Sequence, residues 1–177
     1  MSVREEAEPG DTRVHIRGSV HSLGEKVPRG FLQVATYGTP PAIPVHESGR
    51  RQLGEWLASA QNPLTARVMV NRVWHWLFGA GIVTTTDNFG TTGERPSHPE
   101  LLDYLALRFA EGGWSVKKLI REIMLSRAYQ LSSGPIDGEV NSERAESGKR
   151  IDPENRLLWR MNRRRLDAEC IRDTMLS

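Results

Sequence analysis

The chain has 177 residues, 38% hydrophobic and 26% charged, with a formal net charge of +2. That length suits one domain, or one domain with tails, and the composition is that of a folded globular protein. So small a charge excess gives no electrostatic case for nucleic acid, and no apolar run approaches the ~20 residues of a membrane span.

The single cysteine, Cys170, excludes an internal disulfide, a CxxC redox pair, a cysteine-rich zinc site and the CxxCH of covalent haem attachment. Residues 1–11 read as a mobile tail. Glu5, Glu6, Glu8 and Asp11 stand against Arg4, the reverse of a signal peptide's basic, apolar start. Residues 12–47 read as an extended arm. Val14 and Ile16 alternate with Arg13, His15 and Arg17 as in a short half-exposed strand, and Gly18 ends it. Glycine and proline then dominate up to Pro44, with Phe31, Leu32 and Val34 placed to pin the arm to the body.

Residues 48–177 read as a helical domain. Ser48 is an N-cap before Leu53, Trp56, Leu57 and Ala60, one apolar face. Asn62 caps the next helix, with Pro63 at its first position and Gly79 beyond its last turn. Its apolar residues, from Leu64 through Val70, Trp74 and Trp76 to Phe78, cover more than one face and predict a central position. Ala80 to Pro96, with Gly81, Gly90, Gly93 and several threonines, has no helical period and reads as a long ordered loop or short hairpin. Ser97 and Glu100 have capping-box spacing before a helix with Leu101, Leu102, Leu105 and Phe109 inward, ended by Gly112 and Gly113. Ser115 caps a fourth helix, with Trp114 and Leu119 spaced as a hydrophobic staple.

Residues 132–150 are polar and read as a flexible linker or surface loop. Asp152 and Pro153 predict a helix start leading into Leu157, Leu158 and Trp159. A last helix carries Leu166, Cys170, Ile171, Met175 and Leu176, with Cys170 as a small buried hydrophobe. That helix reaches Ser177 without a C-cap, which suggests a sequence cut from something longer. The expectation is a mainly α, irregular domain of five to six helices, with an extended N-terminal arm and one short strand or hairpin.

Five ordered blocks carry a resemblance: NPLTARVMVNRVWHWLFGAG from Asn62, DNFGTTGERPSHPELL from Asp87, GWSVKKLIREIMLSRAYQLSS from Gly113, DPENRLLWR from Asp152 and RRLDAECIRD from Arg164. In this order they resemble the planctomycete cytochrome-associated family called domain of unknown function 1553. RGSVHSLGEKVPRGF, Arg17 to Phe31, fits that family's entry segment, so the resemblance runs from about Arg17 to the end. It implies a domain near the C-terminal end of large, exported or envelope-associated proteins. Its partners would be sibling domains, among them a haem-bearing cytochrome-c-like domain. It implies no reaction and no catalytic residue.

The richest polar stretch is the loop with Asp87, Asn88, Glu94, Arg95 and His98, beside a helix N-terminus able to hold an anion. Asp87, Glu94 and His98 are its acid–base candidates. The binding candidates are Arg72, His75, Trp76 and Arg95. A hydrogen-bonded loop capping two helices outweighs the catalytic reading, because no GxSxG, Walker loop or GxGxxG accompanies it. His75 has no HxxxH or HExxH partner, so no metal site and no cofactor is expected.

Arg67 and Arg72, on an otherwise apolar helix, are expected to meet carboxylates such as Asp103 or Asp87 and organise the fold. Arg160 and Arg163 to Arg165 form a basic knot. From Arg150 onward seven arginines face five acidic residues, so a paired or solvated face is expected rather than a nucleic-acid footprint. Of the five tryptophans, four fall at core or staple positions and Trp76 is the one left free. The leading expectation is a non-catalytic interaction or scaffold module of a larger cytochrome-linked envelope protein. The alternative is an enzyme module, carbohydrate-active in one version, using the 87–98 loop.

Overall fold

The computed structural model describes residues 5–36, 38–134 and 142–176. The chain divides into two compact units, Met1–Ala66 and Arg67–Ser177. Among the described residues there are six α-helices and one two-stranded antiparallel sheet, a mainly α fold with one hairpin.

In the first unit, β1 (Thr12–His15) pairs with β2 (Leu23–Val27) in the register Thr12 to Val27, Arg13 to Lys26 and His15 to Leu23. The turn between them needs left-handed backbone at Arg17 and Gly18, and Gly18 adopts it at no steric cost. Hardly any side chain of the hairpin is buried, so polar ties hold this unit. The Arg29 backbone N–H and Nε both donate to Asp11 Oδ1 at 3.1 Å, and its guanidinium also donates to the Glu47 carbonyl. Glu47 in turn accepts from Gln52 at 2.6 Å and Arg51 at 3.0 Å. Glu5 accepts from Ser48 Oγ and pairs with Arg50.

Helix α1 (Arg50–Leu57) starts after Gly49, whose φ of 90° strains any other residue and where a Cβ would crowd the Ile43 side chain at 3.0 Å. Ser48 still serves the helix start, its Oγ accepting from the Arg50 N–H. Phe31 packs tilted against Trp56, ring centroids 5.5 Å apart. Leu32 and Val34, expected as further pins, are exposed. Leu32 precedes a short 3₁₀ turn, Gln33–Ala35, and Val34 lies within it; Ala35 is the residue of the turn that faces inward.

Helix α2 (Thr65–Phe78) begins as its sequence predicts, with Asn62 Oδ1 accepting from the Leu64 and Thr65 N–H groups. In the second unit α2 buries Val70, Val73, Trp74 and Phe78. Helix α3 (Pro99–Glu111) adds Leu102, Leu105, Ala106 and Phe109, and helix α4 (Val116–Met124) packs on it with Leu119 and Ile123. Ile82 and Val83 extend this core into the loop after α2. Trp74 stacks on Phe78 at 4.1 Å, and Phe78 meets the ring of Tyr129 edge-on at 5.6 Å. Helix α5 (Ser142–Ile151) and helix α6 (Ala168–Leu176) complete the unit.

Several local expectations are corrected. The start of α3 has no capping box: His98 is the N-cap residue and its side chain caps nothing. The Ser97 hydroxyl is used on the loop instead, donating to the Ile82 carbonyl. Trp114 adopts a positive φ and meets Phe109 edge-on at 5.3 Å, with its N–H on the Phe109 carbonyl. Residues 152–160 are turns where a helix was expected, and Ser142–Ile151 is helical where a flexible loop was expected. Residues 135–141 lie outside the described residues. Cys170 is exposed, not buried.

Candidate functional site

The second unit contains a cleft of about 360 Å³ lined by the candidates Glu94 and His98 together with Trp74, Thr84, Ser97, Glu154, Arg156 and Asn162. Two irregular segments wall it, residues 80–98 and residues 152–162, and buried polar side chains set the shape of both.

Asn71, on the inward face of α2, closes a two-way clamp on the first segment. Its Nδ2 donates to the Val83 carbonyl and its Oδ1 accepts from the Val83 N–H, both at 2.9 Å. A buried loop backbone must find such partners, because unpaired buried amides are costly. Gly81 is required beside this clamp, since a Cβ there would overlap the Val83 carbonyl oxygen. Further along, Thr85 Oγ1 donates to the Asn88 carbonyl and accepts from the Glu94 N–H at 3.0 Å, folding the loop back toward α3.

The second segment is organised by Asp152 and Asn155, both buried. Asp152 accepts from the Arg156 and Leu157 N–H groups at 2.9 and 2.8 Å. That is cap chemistry, but no helix follows, because Asn155 and Leu158 take left-handed φ values of 56° and 54°. Asn155 Nδ2 then donates to the Arg160 carbonyl and to Asn162 Oδ1. Trp159 Nε1 donates to the Asp152 carbonyl, and its ring lies against Gly148 of α5, where a Cβ would come within 2.6 Å. Asn162 Nδ2 reaches the Phe78 carbonyl, and the Arg164 guanidinium donates to the Trp76 carbonyl. These two donors satisfy carbonyls of the last turn of α2, where a cation is also favoured by the helix dipole.

The sequence candidates separate. Glu94 and His98 line the cleft, with His98 Nδ1 3.0 Å from Ser97 Oγ. Asp87 does not: its side chain is 85% exposed and paired with Arg72 at 2.9 Å. Arg67 pairs with Asp103 at 2.7 Å, so both expected ion pairs are present. Both are solvent-exposed, and such pairs contribute at most about 1 kcal/mol, so they trim the surface more than they organise the fold. Arg95 is exposed and does not line the cleft. His75 is half-buried beside Trp76, its Nδ1 buried without a hydrogen-bond partner among the described residues. Trp76 is 70% exposed, as its position on α2 predicted.

Glu154, Arg156, Asn162 and the clamp residue Asn71 were missed as site residues. Asn71 was visible as an amide inside the apolar run VMVNRVW, Glu154 and Arg156 lie in a stretch read as helix, and Asn162 follows it. Among the described residues no three His, Cys, Asp or Glu side chains are grouped to hold a metal ion. Cys170 faces Asp167, whose hydrogen bond and charge push its thiol above the ordinary range, the wrong direction for a nucleophile.

The family model described as PSD1, protein of unknown function (DUF1553), matches residues 49–177, and the chain belongs to that family. The match leaves out the Arg17–Phe31 segment that the resemblance had included. Neither a curated protein nor a solved structure matches the chain. No helix among the described residues is long and apolar enough to cross a membrane.

Proposed function

We propose that the chain is a non-catalytic interaction module that docks against sibling domains of a larger, cytochrome-linked, envelope-associated protein. The observation that carries this reading is α6. None of its nine residues is buried, and it holds Ile171 half-exposed with Met175 and Leu176 each 79% exposed. Large apolar side chains gathered on one short helix mark a surface that gains by being covered. The occupant we assign is the haem-bearing, cytochrome-c-like domain that the family resemblance implies.

The test is co-purification of this chain with that haem domain, with and without the double substitution Met175→Glu and Leu176→Glu. Association that the double variant loses supports the reading. A haem domain that does not bind the unaltered chain rejects it. One observation favours a second reading, an enzyme module: Glu94, His98 and Glu154 share a cleft. Against it stands Asp87, the third acid–base candidate, which turns away to Arg72.

A further inference from the structure

We propose that the cleft of the second unit is a binding site for a small, uncharged, polyhydroxylated ligand, a mono- or disaccharide by chemical class. This is independent of docking through α6. Its volume, about 360 Å³, lies in the range of small-molecule sites. Its walls are fixed in advance by the Asn71 clamp on Val83 and by the Asp152 and Asn155 bonds, so little ordering remains to be done on binding.

The ligand class follows from the lining. The Glu94 and Glu154 carboxylates, the Arg156 guanidinium and the second ring nitrogen of His98 take no hydrogen bond or ion pair among the described residues. Residues of opposite charge thus line one cleft, and no ion pair closes between them among the described residues. Two carboxylates against one guanidinium give an inorganic anion no net attraction. The carboxylates and imidazole do not form a three-group metal cluster. A hydroxyl can donate to a carboxylate and accept from a guanidinium, so a ring of hydroxyls uses every one of these groups without carrying charge into the cleft. Ala80 and Leu158, with the little of Trp74 that is left uncovered, supply apolar surface in the same lining for the C–H groups of a sugar ring.

The experiment is titration of the chain with glucose, N-acetylglucosamine and cellobiose, followed by isothermal calorimetry and by the amide spectrum of residues 80–98 and 152–162. Lysine and inorganic phosphate serve as charged comparisons. Binding of at least one sugar, with shifts confined to those two segments, is the expected result. Glu94→Gln and Arg156→Ala each weaken it about tenfold, the loss of one charge-assisted hydrogen bond. Both side chains are exposed, so an unchanged circular dichroism spectrum separates lost binding from lost fold. The Met175→Glu, Leu176→Glu variant binds as the parent does. Absence of sugar binding at millimolar concentrations, binding of lysine or phosphate alone, or sugar affinity untouched by both cleft variants overturns the proposal.

Discussion

The two units of this chain are held by different physics. Among the described residues of the first, the buried apolar side chains are Ala35 and Ala66, and its order rests on Arg29, Asp11, Glu47, Gln52 and Glu5. The second buries an aromatic and aliphatic core, and uses its buried amides, Asn71 and Asn155, to hold loops against that core. Apolar burial is worth about 25 cal/mol per Å², whereas exposed ion pairs are worth at most about 1 kcal/mol each. The second unit therefore tolerates long irregular walls around a cleft, and the first supports only a hairpin and one short helix.

The sharpest break in this contrast is Phe78→Ala. Phe78 is 1% exposed, stacked on Trp74 and met edge-on by Tyr129. Removing it leaves a large cavity and costs about 3–5 kcal/mol. Thermal unfolding of the second unit then falls on the order of 10 °C. A melting temperature within a degree or two of the parent would show that the core is not where the contrast puts it.

Asn71→Ala probes the polar half of the same unit. It strands the buried N–H and C=O of Val83 at once, a loss of about 2–4 kcal/mol. Hydrogen exchange should report the damage most strongly at residues 80–98, with α4 still protected. Uniform loss of protection across α3 and α4 would mean that Asn71 supports the core rather than the loop.

Much of the second unit could be read from residues. Ser115 and Gly79 mark helix ends because their chemistry satisfies orphan backbone groups locally. Arg67 and Arg72 announced partners because charges on an apolar helix need them, and Asp103 and Asp87 supply them. The cleft was half legible. Glu94 and His98 stood out as chemistry-bearing residues, but Glu154 and Arg156 lay in a run with a proper cap and apolar spacing. What decides that run is left-handed backbone at Asn155 and Leu158, beside side-chain bonds in which Asn162 and Asp152 accept from Asn155 and from the Arg156 N–H, and no periodicity reveals it. Helix α5, SERAESGKRI, escaped for a different reason. It has almost no apolar stripe, so neither hydrophobic period nor a core face betrays it.

The smallest effect lies in the first unit and is a matter of pH. The Arg29 backbone and side-chain hydrogen bonds hold the Asp11 carboxyl below its ordinary value, and the Gln52 side chain, with Arg51, does the same for Glu47. Both groups are therefore more acidic folded than unfolded. Their contribution is complete above the unfolded value, about 4 for such groups, and is lost as pH falls through the lower folded value. Protection of the β1 and β2 amides, taken relative to their intrinsic exchange rate at each pH, should fall below about pH 4, while the α3 and α4 amides keep theirs. Asp11→Asn should remove part of that acid step and leave hairpin protection at neutral pH closer to the parent's protection in acid. High salt should shrink the step as well, since exposed charges are screened over about 10 Å at 0.1 M. An acid step of equal size in Asp11→Asn would mean that other carboxylates govern this unit, and that the Arg29 bonds to Asp11 are decoration on a hairpin stabilised by its backbone alone.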